Sequence, residues 1–114
     1  MQLGKSEIKT LTDKITLMEP VDMARKKKAG VIKVTVEILP RTEFQDALTS
    51  LTDKELVKRL VTNIEAADDK TQVPPYTADL IDEVYEIEWQ FVPIRDWVVR
   101  ANSESIAAVM RLKN

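Results

Sequence analysis

The sequence predicts an α+β fold, mostly helical, with an N-terminal strand or β-hairpin followed by three to four packed helices. Three observations carry that expectation. Ile32, Val34, Val36 and Ile38 alternate with Lys33, Thr35 and Glu37, the period-2 pattern of a half-buried strand. Leu39-Pro40 stops the pattern, because proline has no N–H for a ladder and fixes its own φ. Beyond it the apolar spacing changes to that of helices, with capping residues at their starts.

In chain order, residues 1–12 lack periodicity and are expected to be flexible. Residues 13–39 form the strand or hairpin region. Ile15-Thr16-Leu17-Met18 reads as a short strand ending at Glu19-Pro20. The connection through Gly30 is either a long basic hairpin loop, with Gly30 relieving the turn, or a short helix over Asp22–Lys28 with Gly30 just past its end. The strand Val31–Leu39 follows. Residues 40–114 form the helical region. Thr42 is placed as N-cap of a first helix, with Glu43 in its first turn and Phe44, Ala47, Leu48 and Leu51 as its apolar stripe.

Thr52-Asp53-Lys54-Glu55 matches a capping box. It opens a helix over Asp53–Ile64 that places Leu56, Val57, Leu60, Val61 and Ile64 on one face. Residues 65–76 are turn-like and then extended at Val73-Pro74-Pro75-Tyr76. Asp68 and Asp69 there lack the alternating oxygen spacing of a calcium loop and read as a solvated turn. Thr77 is placed as cap of a third helix, with Leu80, Ile81, Val84 and Tyr85 inward and Asp82, Glu83 and Glu86 toward water. The last helix starts near Glu88 and carries Trp89, Phe91, Ile94, Trp97, Val98, Val99, Ile106, Val109 and Met110. Pro93 belongs in its first turn, Asn102-Ser103 marks a kink or a new N-cap, and Arg111 and Lys113 suit a C-terminal end.

Composition narrows the function classes. The chain has 114 residues, 44% hydrophobic and 32% charged, which fits one soluble globular domain. No apolar run approaches the roughly 20 residues of a membrane span, and Met1-Gln2-Leu3-Gly4-Lys5 is not followed by an apolar signal core, so a cytoplasmic location is expected. Cysteine and histidine are both absent. That removes thiolate chemistry, the commonest general base and the commonest transition-metal ligand. The expectation is a protein that is not an enzyme, with no catalytic residues, cofactor or metal.

The net charge of −2 hides a division. Residues 1–33 hold eight Lys/Arg against four Asp/Glu, and residues 34–114 hold nine against fifteen. The run Arg25-Lys26-Lys27-Lys28 invites a phosphate-binding reading. No aromatic residues interleave with it to stack on bases, which favours a solvated loop tip over nucleic acid. Were this run and the acidic set Asp68, Asp69, Asp82, Glu83 and Glu86 on opposite sides of the fold, copies could associate head to tail. Trp89, Phe91 and Trp97 would then supply the apolar part of the contact.

The order of elements also resembles a known family. Ile38-Leu39-Pro40-Arg41-Thr42-Glu43-Phe44 is followed by Asp53-Lys54-Glu55-Leu56-Val57-Lys58-Arg59-Leu60-Val61. Pro75-Tyr76-Thr77 then leads into Leu80-Ile81, and Ile87-Glu88-Trp89 into the last helix. Over roughly residues 31–102 this is similar to the short tail assembly chaperones of long-tailed, siphovirus-type bacteriophages. The resemblance implies a non-catalytic protein of the bacterial host cytoplasm that binds the tape-measure protein, recruits the major tail protein during tail-tube polymerisation, and self-associates. Its alternatives are a nucleic-acid-binding module using the basic N-terminal loop, or another phage head-tail assembly subunit.

Overall fold

A computed structural model describes the backbone of residues 2–111 and the side chains of residues 2–103. The elements run β1 (Thr10–Pro20), β2 (Lys26–Glu37), α1 (Arg41–Ser50), α2 (Asp53–Leu60), β3 (Val61–Ala66), α3 (Asp79–Tyr85) and α4 (Glu88–Arg111). The fold is α+β, as expected. Helices take 49 residues and strands 29 of the 114, so less than half of the chain is helical, because the sheet is larger than the sequence suggested.

The sheet is antiparallel with order β1-β2-β3. Alternation does what the pattern of β2 promised: Ile32, Val34 and Val36 are buried, and Val31, Lys33, Thr35 and Glu37 sit on the other face, half-exposed. The hairpin reading holds and the helix over Asp22–Lys28 does not form. Val21 and Asp22 donate their amides to the Arg25 carbonyl at 2.9 and 3.3 Å, and the Asp22 carboxylate accepts from the Ala24 and Arg25 amides, both at 2.9 Å. This tight turn leaves Lys26, Lys27 and Lys28 in β2 rather than in a long loop. Gly30 is paired with Leu17 inside the strand, so it relieves no turn. Thr10–Thr12 belong to β1 and are not a loose tail.

The largest departure is β3. The helix expected over Asp53–Ile64 ends at Leu60, and Val61–Ala66 is a strand. A bulge explains the misreading. Val36 pairs with Val61 and Thr35 with Asn63, so Thr62 is the extra residue. A bulge of this kind resets which side the following residues face, and Val61 and Ile64 both end up buried. Their spacing of three imitates a helical face.

The helices cover the inner face of the sheet. α4 packs on β1 and β2, α2 on β3, and α3 braces α2 and α4. The capping box forms as read: the Glu55 amide donates to Thr52 Oγ1 at 3.2 Å, and the Thr52 amide to Glu55 Oε1 at 3.0 Å. Thr42 and Thr77 cap nothing. The N-cap positions are Pro40 and Ala78, since Pro40 already has the extended backbone that a helix entry uses. Leu48 and Tyr85, expected inward, are exposed. Pro93 is the sixth residue of α4, past the first turn, so the Trp89 carbonyl lacks its usual donor four residues on. No new helix starts at Asn102-Ser103; α4 runs through both residues, and Asn102 is wholly buried within it. The side chains of Ile106, Val109, Met110 and Arg111, and Lys113 altogether, lie outside the described residues.

On β1 the Lys14 amide is taken by Asp13 Oδ1 at 2.8 Å. On β3 the Tyr76 hydroxyl donates to the Val61 carbonyl at 3.1 Å.

Leu60, Val57 and Ile81 are fully buried where α2, α3 and the sheet meet. Leu60→Ala is expected to cost about 2–5 kcal/mol, and Thr52→Ala only about 1 kcal/mol. Denaturant melts measure both, and equal losses would contradict this placement of Leu60 in the core.

Candidate functional site

A half-open apolar groove of about 350 Å³ lies at the hairpin end of the helical layer. Leu17, Ile32 and Ile64 form its floor from the inner face of the sheet. Leu80 and Val84 of α3 with Trp89 and Ile94 of α4 make one wall, and Lys70–Pro74 make the other. The sequence places these residues by separate routes. Alternation brings Leu17 and Ile32 inward, the β3 bulge brings Ile64, and a tight junction fixes the helices. In that junction the Ile87 amide bonds the Val84 carbonyl at 2.9 Å, and the Gln90 and Phe91 amides both bond the Ile87 carbonyl at 2.9 Å. Tyr85 meets Phe91 edge-on at 4.9 Å across the same corner.

The loop wall is docked by one threonine. Asp68 Oδ1 accepts from the Thr71 amide at 2.8 Å and the Lys70 amide at 3.1 Å. Thr71 Oγ1 in turn accepts from the Val31 amide at 3.0 Å. The Thr71 hydroxyl, then its amide, hold the Asp68 carboxyl below the usual range, and Lys28 adds a smaller push in that direction. Gly30 makes this approach possible, since a Cβ there would lie 2.8 Å from Thr71 Oγ1.

The residues singled out from sequence are not brought together. Phe91 and Trp97 are 5% and 6% exposed, so they are core and closed to a partner; Trp97 Nε1 donates to the Val34 carbonyl at 3.0 Å. Trp89 is half-buried and lines the groove. Arg25 pairs with Asp22 at 2.6 Å and Lys27 with Glu19 at 3.7 Å. Asp82 does not simply face water: it pairs with Lys58 at 3.0 Å and Lys54 at 3.1 Å. Lys58 and then Lys54 hold its carboxyl below the usual range. Glu83 and Glu86 are exposed. Lys28 is near enough to Asp68 to influence it, so these members of the basic and acidic sets are neighbours in one molecule.

Sequence reasoning missed Lys70, Thr71, Gly30 and Val84 as members of one site. Gly30 was the available signal, as a glycine inside a strand often marks close approach of another segment.

Among the described residues, no group of three or more His, Cys, Asp or Glu side chains is placed to hold a metal ion, and no helix is long and apolar enough to cross a membrane. Comparison with protein-family models, with curated proteins and with solved structures finds no match to this chain.

Two outcomes follow from this geometry. Gly30→Ala is expected to cost about 1–3 kcal/mol by overpacking. Adding Thr71→Ala should cost little more, because the clash and the lost bond to Val31 share one side chain; additive losses in denaturant melts would contradict the docking. Asp82, with its pKa lowered in the fold, contributes stability above its unfolded value of 3.8 that is lost as pH falls through the folded one. Asp82→Asn should therefore be less stable near neutrality and lose less on acidification than the parent. An unchanged acid limb in melts recorded across that range would contradict the pairing.

Proposed function

We propose that this protein is a non-catalytic tail assembly chaperone of long-tailed bacteriophages, acting in the bacterial host cytoplasm. In this reading it binds an apolar helical stretch of the tape-measure protein, keeps it soluble while major tail protein subunits gather, and works as a homo-oligomer. The resemblance over residues 31–102 supports the family. The observation that carries the binding role is the groove, an apolar surface open to solvent between the α3–α4 corner and the Lys70–Pro74 loop, the form taken by sites that accept the apolar face of a helix. The nucleic-acid reading has less support, since Arg25 and Lys27 of the basic run are already paired with acids.

The test is co-expression with a tape-measure protein of a long-tailed bacteriophage. The parent is expected to move the tape-measure protein into the soluble fraction. Val84→Asp, which puts a charge on the groove wall, is expected to stay folded and lose that effect. A parent that leaves the tape-measure protein insoluble, or a folded Val84→Asp that works as well as the parent, would overturn the proposal.

A further inference from the structure

We propose that copies of this chain associate by docking the tip of the β1–β2 hairpin of one on the α3–α4 corner of another. This deepens the homo-oligomer named above and rests on that part of the reading, not on the groove. Eight large apolar side chains are exposed among the described residues, and five of them fall in two patches. Met18, Val21 and Met23 stand at the hairpin tip beside Arg25–Lys28, with Met23 wholly exposed. Tyr85 and Ile87 stand at the corner, interleaved with the exposed Glu83, Glu86 and Glu88. Apolar side chains ringed by charge are the make-up of a contact surface.

The two patches are opposite in sign. In the tip Arg25 is paired with Asp22 and Lys27 with Glu19, which leaves Lys26 and Lys28 in excess, Lys28 lying near Asp68 at the base. At the corner Lys54 lies 5.0 Å over the Tyr85 ring, but it and Lys58 share Asp82. Glu83, Glu86 and Glu88 have no ion-pair partner among the described residues. So few free cations suit an acidic protein surface better than a phosphate backbone, which takes many.

The tip cannot reach the corner of its own chain. β3 stops pairing with β2 at Ile32, so the hairpin beyond Val31 is a free arm, and the Asp22 turn keeps it closed. The corner lies at the arm's base, where Val84 and Trp89 share the groove with Leu17 and Gly30. From Leu17 the turn at Asp22 is five residues further on, about 16 Å at the rise of a strand. A second copy brings tip and corner together. Charge steers the approach and the apolar groups hold it, since exposed ion pairs are worth little.

An arm variant carries Met23→Ser with Lys26→Glu, and a corner variant Ile87→Ser with Glu86→Lys. All four side chains are exposed, so both variants are expected to keep the parent's far-ultraviolet dichroism. Light scattering of the full chain at about 100 μM, where a contact of micromolar Kd is populated, is expected to give the parent more than a monomer's mass. Each variant alone should be a monomer. Mixed in equal amounts they should regain a pair and grow no further, because the arm variant keeps an intact corner and the corner variant an intact tip. About 0.5 M salt should weaken the parent's association, a response that needs no variant. A monomeric parent, an association indifferent to salt, a folded variant that associates as the parent does, or a mixture that stays monomeric overturns the proposal. The tape-measure role is read separately by co-expression, so either can fail without the other.

Discussion

The structure hangs on the contact between α4 and the central strand, and two buried polar side chains fix it. Trp97 donates its indole N–H to the Val34 carbonyl at 3.0 Å. Five residues on, Asn102 accepts from the Leu39 amide at 2.9 Å and donates to the Glu37 carbonyl at 3.1 Å and to Val98 of its own helix at 3.2 Å. At the exit of β2 the Ile38 amide still bonds the Lys9 carbonyl at 2.8 Å, while Asn102 takes the Leu39 amide and the Glu37 carbonyl. Apolar burial of Phe91, Ile94, Val98 and Ala101 drives α4 onto the sheet, since burial energy is large but non-directional. The hydrogen bonds are worth less in net terms, but leaving such groups buried and unpaired is costly. They therefore set the helix's register along β2.

That register decides where the groove lies. With Trp97 and Asn102 pinned toward the exit of β2, the N-terminal part of α4 lies toward the hairpin end, carrying Trp89 and Ile94 into the groove wall. The α3–α4 corner brings Leu80 and Val84 beside them. The Thr71 anchor closes the other side. Charge plays a secondary part, and much of it is settled internally: Asp82 bridges α3 to Lys54 and Lys58 of α2, and Arg59 ties α2 to Glu37 at 2.7 Å. Exposed pairs of this kind add little stability each, but they leave fewer free charges to steer an assembly than the sequence count suggests.

Local signals were legible in the sequence. The alternation of β2 and the Thr52–Glu55 box each depend on neighbours within a few residues, and each is found in the fold, although the strand expected to run to Leu39 and stop at Pro40 already ends at Glu37. The errors come from tertiary context. Val61 and Ile64 looked helical because a bulge at Thr62 changes the facing of a strand. Asn102 looked like a helix boundary because asparagine favours caps, whereas its partners lie some 63 to 65 residues away in sequence. Phe91 and Trp97 looked like contact residues because composition does not distinguish an aromatic anchor from a core one. The groove was out of reach for the same reason, since it joins Gly30, Thr71, Val84 and Trp89, which no spacing rule connects.

The central claim is that α4 is clamped at one end and presents a binding groove at the other, and the two tryptophans report on these ends separately. A nitrogen–proton correlation spectrum of the full chain, recorded while an apolar helical peptide is added, reads both indoles at once. The account predicts that the Trp89 indole and the Gly30 and Thr71 amides shift with peptide, while the Trp97 indole and the Leu39 amide stay in place. Shifts confined to Thr12 and Thr35 on the outer face of the sheet, or a Trp97 indole that moves together with Trp89, would contradict it.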